Sequence, residues 1–195
     1  MEKLPYHTAL KNGTIEESVP MQRFVYNNSL AFTYDVFDAL PNEFDSFDFF
    51  YMEPPYPAGS KVFDNRMGIE GRTYSDLAQR ISLFIESTNK PIIMTMSKTA
   101  IKHLPTPLQG FEADFTHSIK SLKTMVYTWN VKIEEFKTTK HILSELLNEY
   151  NCVGDMFCGY GHTAIMAANQ SKDFVVSDYN PLCIGFLAKL LGENK

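Results

Sequence analysis

Cysteine is scarce in this 195-residue sequence, and Cys152, Cys158 and Cys183 form no C-x-x-C pair. An odd, unspaced set argues against a disulfide framework and against a structural zinc site, so no metal is expected and a reducing compartment, the cytoplasm, is. Long apolar runs are missing too. Nothing approaches the ~20 residues that a membrane-spanning helix needs, and the first residues lack a signal-peptide pattern, so no membrane partner is expected. There is no internal repeat and no low-complexity tract. Positive charge is in deficit, with a net charge of −5, which by itself does not advertise binding to nucleic acid.

The deficit is uneven. Residues 1–89 carry 7 basic and 13 acidic groups and residues 142–195 carry 3 and 6, whereas 90–141 hold 8 lysines against 4 acids. The middle can present a local positive face despite the acidic total, or it can be an ordinary lysine-rich solvated surface. The length suits one well-buried domain over 1–195 and is short for two.

Residues 1–28 read as a mixed, polar N-terminal extension ending in an Asn-Asn pair, before a first clear strand over 29–37. A second strand, "SFDFFYM", runs into "EPPYP". Residues 57–72 hold three glycines and scattered charge and read as a long exposed loop. Thr73 or Ser75 then caps a helix with Tyr74, Leu77, Ile81, Phe84 and Ile85 on one face. "PIIMTMS" is a short buried strand, and "ADFTHSIK" and "KTMVYTWN" are two more. Thr138 or Thr139 caps a helix that turns Ile142, Leu143, Leu146, Leu147 and Tyr150 inward. "CVGDMF" is a strand, "YGHTAIMAANQ" a helix and "DFVVSD" a strand. A last helix has Asn180 at the cap, Pro181 in its first turn and Gly192 at its stop. Strands alternating with helices predict an α/β fold with a mostly parallel sheet.

Two turns carry chemistry. Gly159-x-Gly161 falls where a strand hands over to a helix, so the backbone can approach a ligand and the helix N-terminus can offer amides. A tight strand-to-helix connection would look the same. The next strand ends in Asp178, 17 positions after Gly161, where a carboxylate can accept from two ribose hydroxyls or, alternatively, cap a helix. At the other turn, Glu53-Pro54-Pro55-Tyr56, the prolines fix the backbone and withhold donors. Glu53 can accept from an exocyclic amine and Tyr56 can stack on a base, or the segment can be a proline-rich strand stop. His103, His117 and His141 have no ligand spacing, Cys158 has no visible base, and Trp129 suits packing better than stacking.

Together the two turns resemble those of the DNA amino-methyltransferases, which move a methyl group from S-adenosylmethionine (SAM) to adenine N6 or cytosine N4. The family's (Asp/Asn/Ser)-Pro-Pro-(Tyr/Phe/Trp) is answered by Glu53-Pro54-Pro55-Tyr56. Its cofactor motif, similar to Asp-Pro-Phe-x-Gly-x-Gly-Thr, is answered by Asp155, Phe157, Cys158, Gly159, Gly161, His162 and Thr163. The catalytic strand precedes the cofactor strand, as in the circularly permuted, beta-class-like members. The resemblance implies a Rossmann-like class I methyltransferase fold, with a seven-stranded, mostly parallel sheet and helices on both faces. It divides the chain into a catalytic half, 29–131, and a cofactor-binding half, 132–195. It assigns catalysis to Glu53, Pro54, Pro55 and Tyr56, the ribose to Asp178, and the neighbourhood of the cofactor's adenine to Asp38.

The implied activity is SAM-dependent methylation of a nucleobase amino group, with adenine N6 in DNA first, in a single-stranded or flipped-out base. A restriction-modification setting, a homodimer or a methyltransferase partner subunit would follow from it. Glu53 stands where the family has Asp, Asn or Ser, Met156 where proline is common, and no target-recognition insert separates the halves. Short or loose sequence specificity is therefore expected. The alternative is a catalytically inert methyltransferase-like subunit or nucleic-acid-binding scaffold that needs an active partner.

Overall fold

The computed structural model describes residues 19–55, 73–115, 122–136 and 138–192. Eight strands form one sheet: β1 (Arg23–Tyr26), β2 (Ser29–Thr33), β3 (Phe49–Met52), β4 (Ile92–Met96), β5 (Gln109–Phe115), β6 (Leu122–Trp129), β7 (Cys152–Asp155) and β8 (Asp173–Asp178). Their spatial order is β1-β2-β8-β7-β3-β4-β6-β5. The five strands from β2 to β4 in that order are parallel, and β6 runs against both β4 and β5.

The eighth strand is a correction to the expected seven. The "RFVY" segment belongs to the sheet as an antiparallel edge, with Arg23 opposite Phe32 and Tyr26 opposite Ser29. The Asn-Asn pair is its two-residue hairpin turn, and Asn27 takes a φ of 54°, a left-handed conformation that asparagine tolerates. Half-exposed edge residues give a weak hydrophobic signal, which is why this strand reads as polar extension. The expected strand over 29–37 is also shorter. It stops at Thr33, because Asp35 accepts the Phe37 amide at 3.0 Å and its carbonyl accepts the Asp38 amide at 2.8 Å, turning the chain.

Among the described residues four α-helices cover the sheet unequally: α1 (Tyr74–Ser87), α2 (Thr139–Glu149), α3 (His162–Asn169) and α4 (Pro181–Gly192). On one face, Ile142 and Leu146 of α2, Ala164 of α3 and Leu187 of α4 pack on Tyr51, Ile93, Val153 and Val176. On the other face α1 stands as the sole α-helix among the described residues, with Leu77, Ile81 and Phe84 against Phe50, Met52 and Met94. Aromatics from the β2–β3 connection complete this second layer. Phe44 sits 5.4 Å from both Phe32 and Phe50, centroid to centroid. A cavity of about 260 Å³ lies on this side between residues 34–40 and α1.

Local signals start the helices as read. Thr73 and Asp76 form a reciprocal capping box for α1, Thr138 accepts the His141 amide at the start of α2, and Asn180 accepts the Leu182 amide at 3.0 Å. The connection from β7 to β8 places α3 on one face, and that from β3 to β4 places α1 on the other. The strand order therefore reverses direction at the β7–β3 boundary, which opens a crevice at the C-terminal strand ends.

Candidate active site

The sequence-predicted turns meet at that boundary. β3 and β7 are parallel neighbours, Phe49 beside Val153 and Phe50 beside Gly154. Glu53 leaves the end of β3, Asp155 ends β7 and Asp178 ends β8. In each strand the inward residues alternate, and Tyr51, Val153 and Val176 all pack toward α2–α4. Continuing that alternation turns all three carboxylates to the same side.

The turn after β7 is closed on itself. Asp155 is 3% exposed, and its oxygens accept from the Phe157 amide at 2.9 Å and from the Thr163 hydroxyl at 2.7 Å. Cys158 N–H donates to the Ser177 carbonyl, Gly159 N–H to Asp178 Oδ2 at 2.8 Å, and Gly161 N–H to the Cys158 carbonyl. Of the amides from Phe157 to Gly161, Tyr160 N–H alone has no acceptor among the described residues. Gly161 is the N-cap of α3 and supplies no side chain to its first turn. Gly161 has a φ of 79°, which favours glycine, and an added Cβ would lie 2.6 Å from the Leu187 side chain, which would have to shift. Gly159 has a φ of 48° and open space where a Cβ would go.

Asp178 has a double part. Its other oxygen accepts the Asn180 amide at 2.9 Å, so it ties the end of β8, the entry to α4 and the glycine turn together. Asn180, not Asp178, caps α4. Cys158 is buried and its thiol is pushed far up by desolvation, which leaves it inert as a nucleophile. His162 and Thr163 open α3, with the Thr163 hydroxyl committed to Asp155.

The end of β3 is different. Glu53 is half-buried, but its Oε1 is shut off from solvent and has no hydrogen-bond partner among the described residues. The same is true of Thr95 Oγ1 on β4. Burial pushes Glu53 up to about 7, and the Thr95 hydroxyl nearby acts the other way, although no hydrogen bond between them is closed. Burial likewise pushes Asp155 up to about 8, its hydrogen bonds from Thr163 and Phe157 oppose this, and the charges of Glu53 and Asp178 add to it. Asp178 is also raised, by burial first. Among the described residues no ion pair neutralises any of the three.

Pro54 is buried and Pro55 half-buried beside Glu53. Tyr56 and the 57–72 loop lie outside the described residues, as does His117. Asp38 stands apart from the carboxylate group: it is exposed, and its carbonyl accepts from the Tyr34 hydroxyl at 3.3 Å and from Arg80 of α1, the helix on the other face. Asp35, which the sequence analysis did not single out, lies nearer to the end of β8. The Tyr34 amide donates to the Asp178 carbonyl at 3.1 Å, so Asp35 emerges next to the end of β8. The signal was an acid two residues beyond a strand. Thr95 was missed as well, though it is a lone hydroxyl in the apolar run "IIMTM".

No known family profile matches the chain, and no curated protein matches it in sequence. Solved structures do share its fold. M1.HpyAVI superposes with a TM-score of 0.54 at 11% identity, over 83% of this chain and 97% of that one. Its SAM complex gives the same score and identity, over 83% and 98%. TTHA0409 of Thermus thermophilus, assigned as a DNA modification methylase, gives 0.51 at 10% identity over 76% and 87%. Its complex with SAM gives 0.50 at 10% identity over 76% and 86%. The chain has an α/β, Rossmann-like fold with a mostly parallel sheet, and these solved structures share it. At 10–11% identity this likeness is one of fold.

Proposed function

We propose that this protein is a SAM-dependent methyltransferase that acts on the exocyclic amino group of a nucleobase, with adenine N6 in DNA as the first candidate. The observation that carries the reading is the buried, unpartnered oxygen of Glu53, set at a parallel strand end directly beside the glycine turn. An acceptor without a donor, in a crevice bounded by fixed prolines, suits an incoming amine.

The residues fit the cofactor. Three carboxylates with no cationic partner among the described residues suit a ligand that brings positive charge, and the open side of Gly159 leaves room for it. Asp178 would receive the ribose hydroxyls, the start of α3 and the Tyr160 amide would face the carboxylate end, and Asp35 or Asp38 would flank the adenine. When bound, SAM supplies a methyl group on a positive sulfur. The chain's own part is to hold the base and direct its amine. Glu53 and the Pro54 carbonyl accept the two amine hydrogens out of the ring plane, which turns the nitrogen lone pair away from the ring and toward the methyl donor. Positioning and electrostatics then carry most of the catalysis. Tyr56 would stack on the base, which must be single-stranded or flipped out to enter.

A second reading has its own support. Burial raises Glu53 to about 7, which brings its neutral form within reach of neutral pH, and a neutral Glu53 is a weaker acceptor. That favours an inert subunit that keeps the fold and needs an active partner, or a second copy of itself. One experiment separates the two. The protein is incubated with methyl-labelled SAM and single- and double-stranded DNA and RNA, and the products are digested to nucleosides. Label in N6-methyladenosine or N4-methylcytidine species supports the enzyme. Binding of SAM by calorimetry with no label in any nucleoside supports the inert subunit.

A further inference from the structure

We propose that Thr95 is a positioning residue of this site, whose hydroxyl holds the Glu53 carboxylate in place at the end of β3. As a statement about catalysis this rests on the methyltransferase reading; as a statement about pairing it does not. The register of β3 and β4 runs Phe50 with Ile92, Tyr51 with Ile93 and Met52 with Met94, so Glu53 and Thr95 are the next residues in line. Tyr51 and Ile93 pack toward α2–α4 while Met52 and Met94 pack toward α1. Alternation therefore sends Glu53 and Thr95 to the same side, next to each other.

Both side chains end in a buried oxygen with no partner, and Thr95 is 0% exposed. Two such atoms on adjacent strands are each costly alone and complementary together: a hydroxyl can donate, and a carboxylate has lone pairs to spare. Across its other edge Thr95 faces Val126 on β6, which offers no polar side chain, so Glu53 is its natural acceptor. Threonine suits the task because its branched side chain has few rotamers. Glutamate needs it, because its longer side chain would otherwise wander, and a displacement of about 1 Å at a reacting group can cost roughly a hundredfold in rate.

The bond also bears on the charge of Glu53. The titratable group facing it from β7 is Asp155, whose charge and that of Glu53 repel each other, with Asp178 beyond on β8. Thr95 is the neighbour that favours the carboxylate.

The test is a carboxyl titration of the full chain labelled with 13C-glutamate, the Glu53 signal being assigned by its loss in Glu53→Gln. Thr95→Val keeps the shape and removes the hydroxyl; Thr95→Ser keeps the hydroxyl. The Glu53 midpoint is expected to rise by roughly half a unit to one unit in Thr95→Val and to stay at the wild-type value in Thr95→Ser. An unchanged midpoint in Thr95→Val overturns the proposal, whether or not the protein transfers methyl groups. Denaturant melts give a second sign. If Thr95 is paired, Thr95→Val leaves Glu53 orphaned and lowers the midpoint concentration; if the hydroxyl is simply unpaired, the valine raises it and the proposal fails. A shifted titration in a protein that methylates no nucleic acid supports the pairing and sinks the enzyme reading alone.

Discussion

The turn after β7 and the strand end after β3 are neighbours built in opposite ways. In the first, each oxygen of Asp155 and Asp178 already accepts from the Phe157, Gly159 or Asn180 amide or the Thr163 hydroxyl, so the turn is braced without a ligand and keeps only spare lone pairs and the Tyr160 N–H to offer one. In the second, Glu53 and Thr95 bring buried oxygens to adjacent strands, and neither has a partner from any other described residue. A self-satisfied turn makes a rigid wall, and an unsatisfied strand end makes a recognition point. Carboxylates that look alike in sequence therefore divide into scaffold and candidate chemistry according to where their hydrogen bonds go.

Substitutions should break the comparison unequally. The largest effect is expected from Glu53→Gln, which keeps the size and one acceptor but loses the charge. If the enzyme reading holds, turnover should fall by roughly 10²–10³-fold, the scale for removing one preorganised electrostatic group, while SAM affinity by calorimetry stays near wild type. Equal turnover would remove Glu53 from the chemistry.

Asp155→Leu acts on the wall instead. It strands a buried amide and a buried hydroxyl, and should lower unfolding free energy by roughly 2–4 kcal/mol in urea, at ~1–3 kcal/mol for each unsatisfied group. Asp155→Asn, which still offers an acceptor, should lose much less. If the two variants melt alike, the hydrogen bonds of Asp155 do not hold the turn.

Asp178→Ala should weaken SAM binding by ~1.5–3 kcal/mol, the range for hydrogen bonds to a charged group. Unchanged affinity on calorimetry would leave Asp178 a purely structural acid that ties Gly159 to Asn180.

The smallest effect is the pH dependence. Glu53 titrates near 7 and Asp155 near 8, above their ordinary values of 4.5 and 3.8. Between those ordinary values and about pH 8 the folded chain therefore holds more protons than the unfolded one, and stability must fall as pH rises. This contribution is full below the ordinary carboxyl range and is lost through pH 7 to 8. A lower Tm at about pH 8.5 than at about pH 6 is expected, with a smaller drop in Glu53→Gln. A Tm that climbs over this interval would contradict the raised values.

Much of this architecture is written locally. The caps Thr73, Thr138 and Asn180 and the inward helical stripes need only neighbours three or four residues away, so the helices begin and face as their sequence implies. The apolar runs of β3, β4, β7 and β8 likewise declare buried parallel strands. The two motif turns could be read as a pair of sites because residue type and spacing carry that signal. β1 could not, since an edge strand buries too little to show a pattern, and its pairing depends on a turn at Asn27.

Other features depend on contacts that no short window contains. Asp48 accepts the amides of Asn151 and Cys152, and Ser29 accepts that of Phe174, across more than a hundred residues of chain. Contacts of this kind set the register, and register alone makes Glu53 the neighbour of Thr95 rather than of Met94 or Met96. They also decide that the Gly159 amide is consumed by Asp178 while Tyr160 N–H stays open. Sequence by itself determined which residues could do chemistry here, because side-chain type and local periodicity are properties of the chain. Tertiary structure decided which of them have hydrogen-bonding capacity left to do it, because burial and partner choice exist only after distant strands have paired.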